Sequence, residues 1–274
     1  EIMPSLVGSE MCIRDSYLDA LAQDIALHVR ELGAGVPVSQ LHFGGGTPTF
    51  LSDDELTRLM QDLRAGFRFE PDAEISIEVD PRTATPARLA HLRQLGFNRL
   101  SFGVQDFDQR VQVAVHRVQS FEDVRALMQS ARALGYDSVN VDLIYGLPLQ
   151  TTESFARTIS QVVTLRPDRI ALYAYAHLPE RFKPQRRINE SDLPDRATRV
   201  GLLSSAIDGF LQQGYTYIGM DHFALNTDAL AVAKQRGELH RNFQGYSTQP
   251  DRDLVALGVS AIGRVGATYS QNSK

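Results

Sequence analysis

The 274-residue chain contains a single cysteine, Cys12. One thiol excludes an intrachain disulfide. It equally excludes a metal or iron–sulfur site built from several cysteines of this chain. There is no excess of positive charge: 28 Lys and Arg stand against 33 Asp and Glu, a formal net charge of −5. A broad phosphate-binding face of the kind that carries non-specific nucleic-acid affinity is therefore not expected. No run of about 18 apolar residues occurs, so no transmembrane helix is predicted. No low-complexity segment or long linker interrupts the chain. With 43% hydrophobic and 22% charged residues the composition is that of an ordinary globular protein, and the expected compartment is the cytoplasm.

What is present is a repeating alternation of strand and helix signals. Val38 to Phe43 alternates and runs into Gly44-Gly45-Gly46-Thr47-Pro48, a strand ending in a glycine turn. Ser52-Asp53-Asp54-Glu55 is a capping box, followed by Leu56, Leu59, Met60, Leu63 and Phe67 at helical spacing. Ile75 to Val79 reads as a short strand. Thr85-Pro86 opens a helix that Gly96 stops, and Asn98 to Val104 is the next strand. Ser120 caps a further helix ending at Gly135. Val139 to Tyr145 is an apolar strand closed by Gly146-Leu147-Pro148, and a helix over 152–165 leads into a strand over Arg169 to Tyr175. Alternating units of this kind predict an α/β fold with a parallel sheet, either a barrel or a doubly wound sheet. After residue 180 the pattern loosens. A basic stretch spans Arg181 to Arg187, and a helix is expected within 192–212.

In parallel α/β folds chemistry collects at the C-terminal ends of the strands. Here those ends are Gly44–Pro48, Glu78–Arg82, Gly103–Asp106, Asp142–Pro148 and Tyr175–Pro179. The glycine turn lacks the Lys-Ser/Thr of a phosphate loop and the spacing of a dinucleotide site. It is either a tight turn or a place of close backbone approach to a ligand. Glu78 suits an amine or a hydroxyl, or a surface ion pair. Arg117 can hold a carboxylate with its planar fork or brace a helix. Gln105 is open to either reading. Asp142, within an apolar strand, requires a partner. Asp221 and His222 are a possible acid–base pair.

Taken together, several strings resemble one family. They are Phe43-Gly44-Gly45-Gly46-Thr47-Pro48, Ile77 to Arg82, Ser101 to Phe107, Val141 to Pro148, Tyr175 to Pro179, Gly219 to Ala224 and His240 to Tyr246. They are similar to the oxygen-independent coproporphyrinogen III oxidases of the radical S-adenosylmethionine (SAM) superfamily, over about Tyr17 to Asn272. The resemblance implies a partial (β/α) barrel of the radical SAM type. It implies SAM and a [4Fe–4S] cluster that together generate a 5′-deoxyadenosyl radical. That radical would abstract hydrogen from propionate side chains of coproporphyrinogen III, leaving vinyl groups, carbon dioxide and protoporphyrinogen IX for haem synthesis.

By position, Gly45, Glu78 and Ile262 match contacts of a cluster-bound SAM. Gly46, Thr47, Gln105, Arg117, Asp142 and Ala176 match contacts of a second SAM. Arg82, Lys183, Arg186, Arg187 and Arg241 are candidates for the substrate propionates on charge alone. An electron donor of the flavodoxin type and a monomeric state are also implied, with no nucleic-acid or membrane partner. The family's three-cysteine motif upstream of the glycine turn has no counterpart here. Residues 1–16 are accordingly expected to be a non-native leader, 17–180 the barrel core, and 181–274 barrel completion and a substrate-side segment. A C-terminal helical domain is expected to be truncated, leaving the barrel incomplete at both ends. The chain as given is expected to hold no cluster and to be inactive. The alternatives are a related haem chaperone and a SAM-binding pseudoenzyme.

Overall fold

The computed structural model describes residues 3–242, 245–250 and 252–273, with side chains from residue 14 onward. Cys12 lies outside the described side chains, and Phe243 and Gln244 lie outside the described residues. In chain order the elements are α1 (Met3–Leu32), β1 (Val36–Phe43), α2 (Asp53–Gly66), β2 (Phe67–Val79), α3 (Pro86–Gln94), β3 (Arg99–Gln105), α4 (Gln109–Ala114) and α5 (Phe121–Ala133). There follow β4 (Ser138–Tyr145), α6 (Thr152–Leu165), β5 (Arg169–Ala174), α7 (Arg196–Gln212), β6 (Tyr215–Gly219), β7 (His222–Leu225) and α8 (Ala229–Arg236). Two hairpins close the chain: β8 (His240–Asn242) with β9 (Gly245–Ser247), and β10 (Ile262–Val265) with β11 (Thr268–Gln271).

The chain divides into two compact units: Glu1–His42 with Phe50–Ile75 and His240–Lys274, and Phe43–Thr49 with Ser76–Leu239. In the first unit α1 packs on α2 through Leu18, Leu21 and Ile25 against Leu56, Leu59, Met60 and Leu63, all buried. The capping box at Ser52 and Glu55 forms as expected. Arg58 pairs with Asp19 at 2.5 Å, and Arg14 with Glu55 at 3.1 Å. The helix runs through Tyr17 without a break, so the expected edge of a leader is not a break in secondary structure. Phe67, expected on α2, is instead the first residue of β2. That strand is longer than the predicted five residues because Pro71 and its charged neighbours lack the alternation that announces a strand.

The second unit carries the strand order β2-β3-β4-β5-β7-β6. Adjacent pairs from β2 to β5 are parallel, as the alternating pattern implies. The last two strands depart from an all-parallel sheet: β7 is antiparallel to β5, and β6 to β7. Only Met220 and Asp221 separate β6 from β7. A parallel crossover needs about a dozen residues, so so short a connection forces an antiparallel return.

Strict alternation divides the sheet into two faces. Ile77, Val79, Leu100, Phe102, Val104, Val139, Val141, Leu143, Ile170, Leu172 and Phe223 are buried and point to one face. Apolar positions of the helices join them in the core, among them Leu89, Leu92, Val124, Met128, Phe155, Val162 and Phe210. The opposite face presents Glu78, Ser101, Asn140, Asp142, Tyr173 and His222, as the register of neighbouring strands requires. A doubly wound sheet would be apolar on both faces.

Two substitutions one residue apart test this division. Phe102→Ala removes a fully buried ring and should cost about 3–5 kcal/mol. Ser101→Ala, on the polar face, should cost about 1 kcal/mol. Urea denaturation of the two variants reads the difference, and equal losses would contradict a two-faced sheet.

Candidate functional site at the strand ends

The glycine turn after β1 favours glycine through its backbone conformation. Gly45 and Gly46 adopt φ of +76° and +57°, and a Cβ at either would meet nothing within 4 Å. The positions are thus conformationally demanding yet open, leaving backbone groups free to approach a ligand. The Gly45 amide donates to Glu78 Oε2 at 3.2 Å, which ties the turn to the end of β2.

At the end of β3 the register shifts between Gly103 and Gln105, and Gln105 takes a φ of +67°. A side chain on Gly103 would lie 3.0 Å from Gln105 Nε2 and 3.3 Å from Arg117 Nη2, so it would push the ends of both side chains aside. Arg117 Nη2 donates to the Gly103 carbonyl at 3.2 Å and sits 3.6 Å from Asp80 Oδ2. Gln105 Oε1 and Arg117 Nε are buried without a hydrogen-bond partner. Burial of that sort is costly and points to a missing acceptor and donor at this spot.

Asp80 organises the cations. It receives Arg82 Nη2 at 2.6 Å, Arg82 Nε at 3.0 Å and the Arg82 amide at 3.0 Å. Burial alone would raise its pKa. The side-chain and backbone hydrogen bonds of Arg82, with the charge of Arg117, outweigh burial and hold it below the ordinary aspartate value. One carboxylate thus serves two guanidinium groups. Burial lowers the Arg117 pKa, opposed by Asp80 and assisted by Arg82. The cluster is left with a surplus cation suited to an anionic ligand group.

Farther along the polar face, Ser101 Oγ donates to Asp142 Oδ1 at 2.9 Å. The Tyr173 hydroxyl is pushed up to about 12 by burial and by the carboxylates of Asp142, Glu78 and Asp221. It therefore stays a neutral donor at physiological pH. Ala176 is exposed just beyond β5, its carbonyl accepting from Gln185 Nε2 at 3.0 Å.

The structure thus brings together Gly45 with Glu78, and Gln105 with Arg117. Asp142 lies on the same face as Glu78. Thr47 is exposed in the glycine turn. Arg82 is committed to Asp80 and to the His116 carbonyl, 3.0 Å away. Lys183, Arg186 and Arg187 are exposed in a 3-10 turn over Lys183–Arg187. Ile262 and Arg241 belong to the other unit; Arg241 stacks on Tyr246 with its guanidinium 5.8 Å from the ring centroid. Sequence reasoning missed Asp80 as the hub, Ser101 and Tyr173. Strict alternation through β2 to β5 was the signal that places Ser101 and Tyr173 on the polar face.

The family model for the radical SAM superfamily matches residues 14–162. The chain belongs to this superfamily. It is 55% identical over 260 residues to the oxygen-independent coproporphyrinogen III oxidase of Escherichia coli K12, covering 95% of the chain and 57% of that relative. It is 52% identical over 259 residues to the enzyme of that name from Pseudomonas aeruginosa, covering 94% and 56%. The solved structure of the Escherichia coli coproporphyrinogen III oxidase, described as a radical SAM enzyme, superposes with a TM-score of 0.92 at 54% identity. That match covers 95% of this chain and 60% of the other. An archaeal Elp3 structure, at a TM-score of 0.51 and 18% identity, shares the fold alone. The radical SAM chain thus spans somewhat over half the length of the curated relatives it matches, and its fold class is the α/β partial barrel of that superfamily.

Radical SAM proteins use SAM and a [4Fe–4S] cluster, and the two fit this chain differently. The open glycine turn, Glu78, and the orphaned atoms of Gln105 and Arg117 suit a zwitterionic, hydroxyl-bearing ligand such as SAM. The cluster does not fit, because one cysteine cannot provide several thiolates. Among the described residues no group of three His, Cys, Asp or Glu could hold a metal ion.

The lowered pKa of Asp80 gives a pH prediction. Its carboxylate contributes stability above the ordinary aspartate range, and that contribution is lost as pH falls through the depressed folded value. Asp80→Asn should lower the melting temperature at pH 7 and flatten the loss of stability below about pH 4. Melting curves from pH 3 to 7 measure this; an unchanged acid slope would contradict it.

Proposed function

We propose that the complete protein carries out oxygen-independent oxidative decarboxylation of coproporphyrinogen III to protoporphyrinogen IX, and that this chain supplies its SAM-binding face. The observation that carries the reading is the strand-end set of Gly45, Glu78, Gln105 and Arg117 in a chain 55% identical to a named oxidase. In that reaction each of two propionates loses carbon dioxide, one hydrogen atom from its β-carbon and one electron, and becomes a vinyl group. SAM, when bound, supplies the acceptor of the hydrogen atom.

The chain's own residues bind and orient. Gly45 and Glu78 hold the amino or ribose groups of one SAM. Gly46, Thr47, Gln105, Arg117, Asp142 and Ala176 line the place of a second. Arg117 holds a carboxylate, because Asp80 already answers Arg82 and leaves one cation over. For the substrate propionates, Lys183, Arg186, Arg187 and Arg241 keep exposed side chains, whereas Arg82 has most of its donors spent on Asp80 and His116. An acidic flavodoxin-type electron donor, a cytoplasmic location and a monomeric state complete the reading. Among the described residues no helix is long and apolar enough to cross a membrane.

A second reading rests on the lone cysteine: the chain binds SAM without cleaving it. Two measurements separate the readings. Anaerobic expression of the complete coding sequence should yield vinyl products from coproporphyrinogen III, read by chromatography; their absence sinks the oxidase reading. The 274-residue chain, reconstituted with iron and sulfide, should hold no four-iron cluster. Titration calorimetry of this chain with SAM should show Arg117→Ala binding about 10- to 100-fold more weakly, the loss of one charged hydrogen bond. Unchanged affinity would remove Arg117 from the site.

A further inference from the structure

We infer that Arg199 is a positioning residue that joins the loops after β4 and β5 and thereby sets the course of the chain at Ala176. The inference rests on the reading of the strand ends as a SAM site. Arg199 lies near the start of α7, whose first turn holds no acidic residue. A cation there faces the positive end of the helix dipole, so the helix itself gains nothing from it. The N-terminus of α7 is already capped by Asp195, which accepts from the Thr198 amide at 2.7 Å.

What Arg199 does is reach across to the sheet. Its Nη2 donates to the Tyr175 carbonyl at 2.7 Å. Its Nε would lie 3.0 Å from a Cβ on Gly146, and its Cζ 3.5 Å, so the guanidinium fills the space a side chain at Gly146 would enter. Gly146 has a φ of +85°, which also favours glycine. The Tyr175 amide in turn donates to the Tyr145 carbonyl at 2.9 Å.

The contacts continue in both directions. The Gly146 amide donates to Gln150 Oε1 at 2.6 Å, and Gln150 Nε2 donates to the buried Asp106 at 2.5 Å. Asp106 directly follows Gln105. Beyond Tyr175, Gln185 Nε2 donates to the Ala176 carbonyl at 3.0 Å, and Gln185 Oε1 accepts from the Leu178 amide at 2.5 Å. A continuous set of hydrogen bonds and close contacts thus runs from Gln105 to Ala176, and Arg199 is the side-chain link between its β4 and β5 portions, beside the main-chain bond from Tyr175 to Tyr145. If the guanidinium is removed the Tyr175 carbonyl loses its donor, and the Tyr175–Tyr145 main-chain bond and Gln185 are left to hold the loop.

The test uses the 274-residue chain and two readouts: SAM affinity by calorimetry and hydrogen exchange at the hydrogen-bonded amides of Tyr175 and Leu178. Arg199→Ala is expected to weaken SAM binding about tenfold and to speed exchange of these amides at least tenfold, with the melting temperature shifted by only a few degrees. A groove of about 460 Å³ lined by Tyr145, Arg199, Val200 and Leu203 reaches the guanidinium. Millimolar methylguanidine should therefore restore slow exchange to Arg199→Ala. Exchange and affinity at wild-type values in Arg199→Ala would overturn the inference. If the wild-type chain does not bind SAM, the SAM reading fails, and exchange alone decides: faster amides with methylguanidine rescue uphold the link, unchanged amides overturn it.

Discussion

A sheet with one apolar and one polar face is the constraint on which the rest depends. Along β2 to β4 alternate residues are buried among helices, and the opposite face carries Glu78, Ser101, Gly103, Asn140 and Asp142, continued on β5 by the buried Ala171 and by Tyr173. Burial of the first set drives folding. It also fixes the direction of the second set, because a slip of one residue would exchange the faces and bury the carboxylates. The side chains of the candidate site are therefore held in place by the same contacts that form the core, and need no separate scaffold.

On that face charge is distributed unevenly. Asp80 is shared by Arg82 and Arg117, so two guanidinium groups face this one carboxylate. Glu78, Asp142 and the neutral Tyr173 leave the neighbouring ground negative or hydrogen-bonding. A ligand with a carboxylate at one end and an amine or sulfonium cation nearby matches both patches. That complementarity is a physical reason for SAM that does not depend on any motif.

Much of this was legible in the sequence. Caps at Ser52, Thr85 and Ser120 announced helices that form where they were expected, because capping is local chemistry. The strand-end glycine turn and Glu78 were legible for the same reason. The antiparallel return of β7 was not read from the pattern, although the two-residue connection after Gly219 contained it. The start of β2 at Phe67 escaped because Phe67 also satisfies helical spacing from Leu63. Asp80 and Arg199 act through partners distant in sequence or through backbone carbonyls, and neither leaves a periodic trace. The roles of Arg82 and Arg117 differ only through who shares Asp80, which spacing along the chain does not encode.

The central claim is that the polar strand-end face binds SAM with Glu78 at one end and Arg117 at the other. A crystal structure of this chain grown with SAM tests it most directly. The account predicts the ligand carboxylate or another anionic group within hydrogen-bond distance of Arg117, and an amine or hydroxyl at Glu78 beside the glycine turn. A SAM molecule bound elsewhere, with Arg117 and Glu78 untouched, would contradict it.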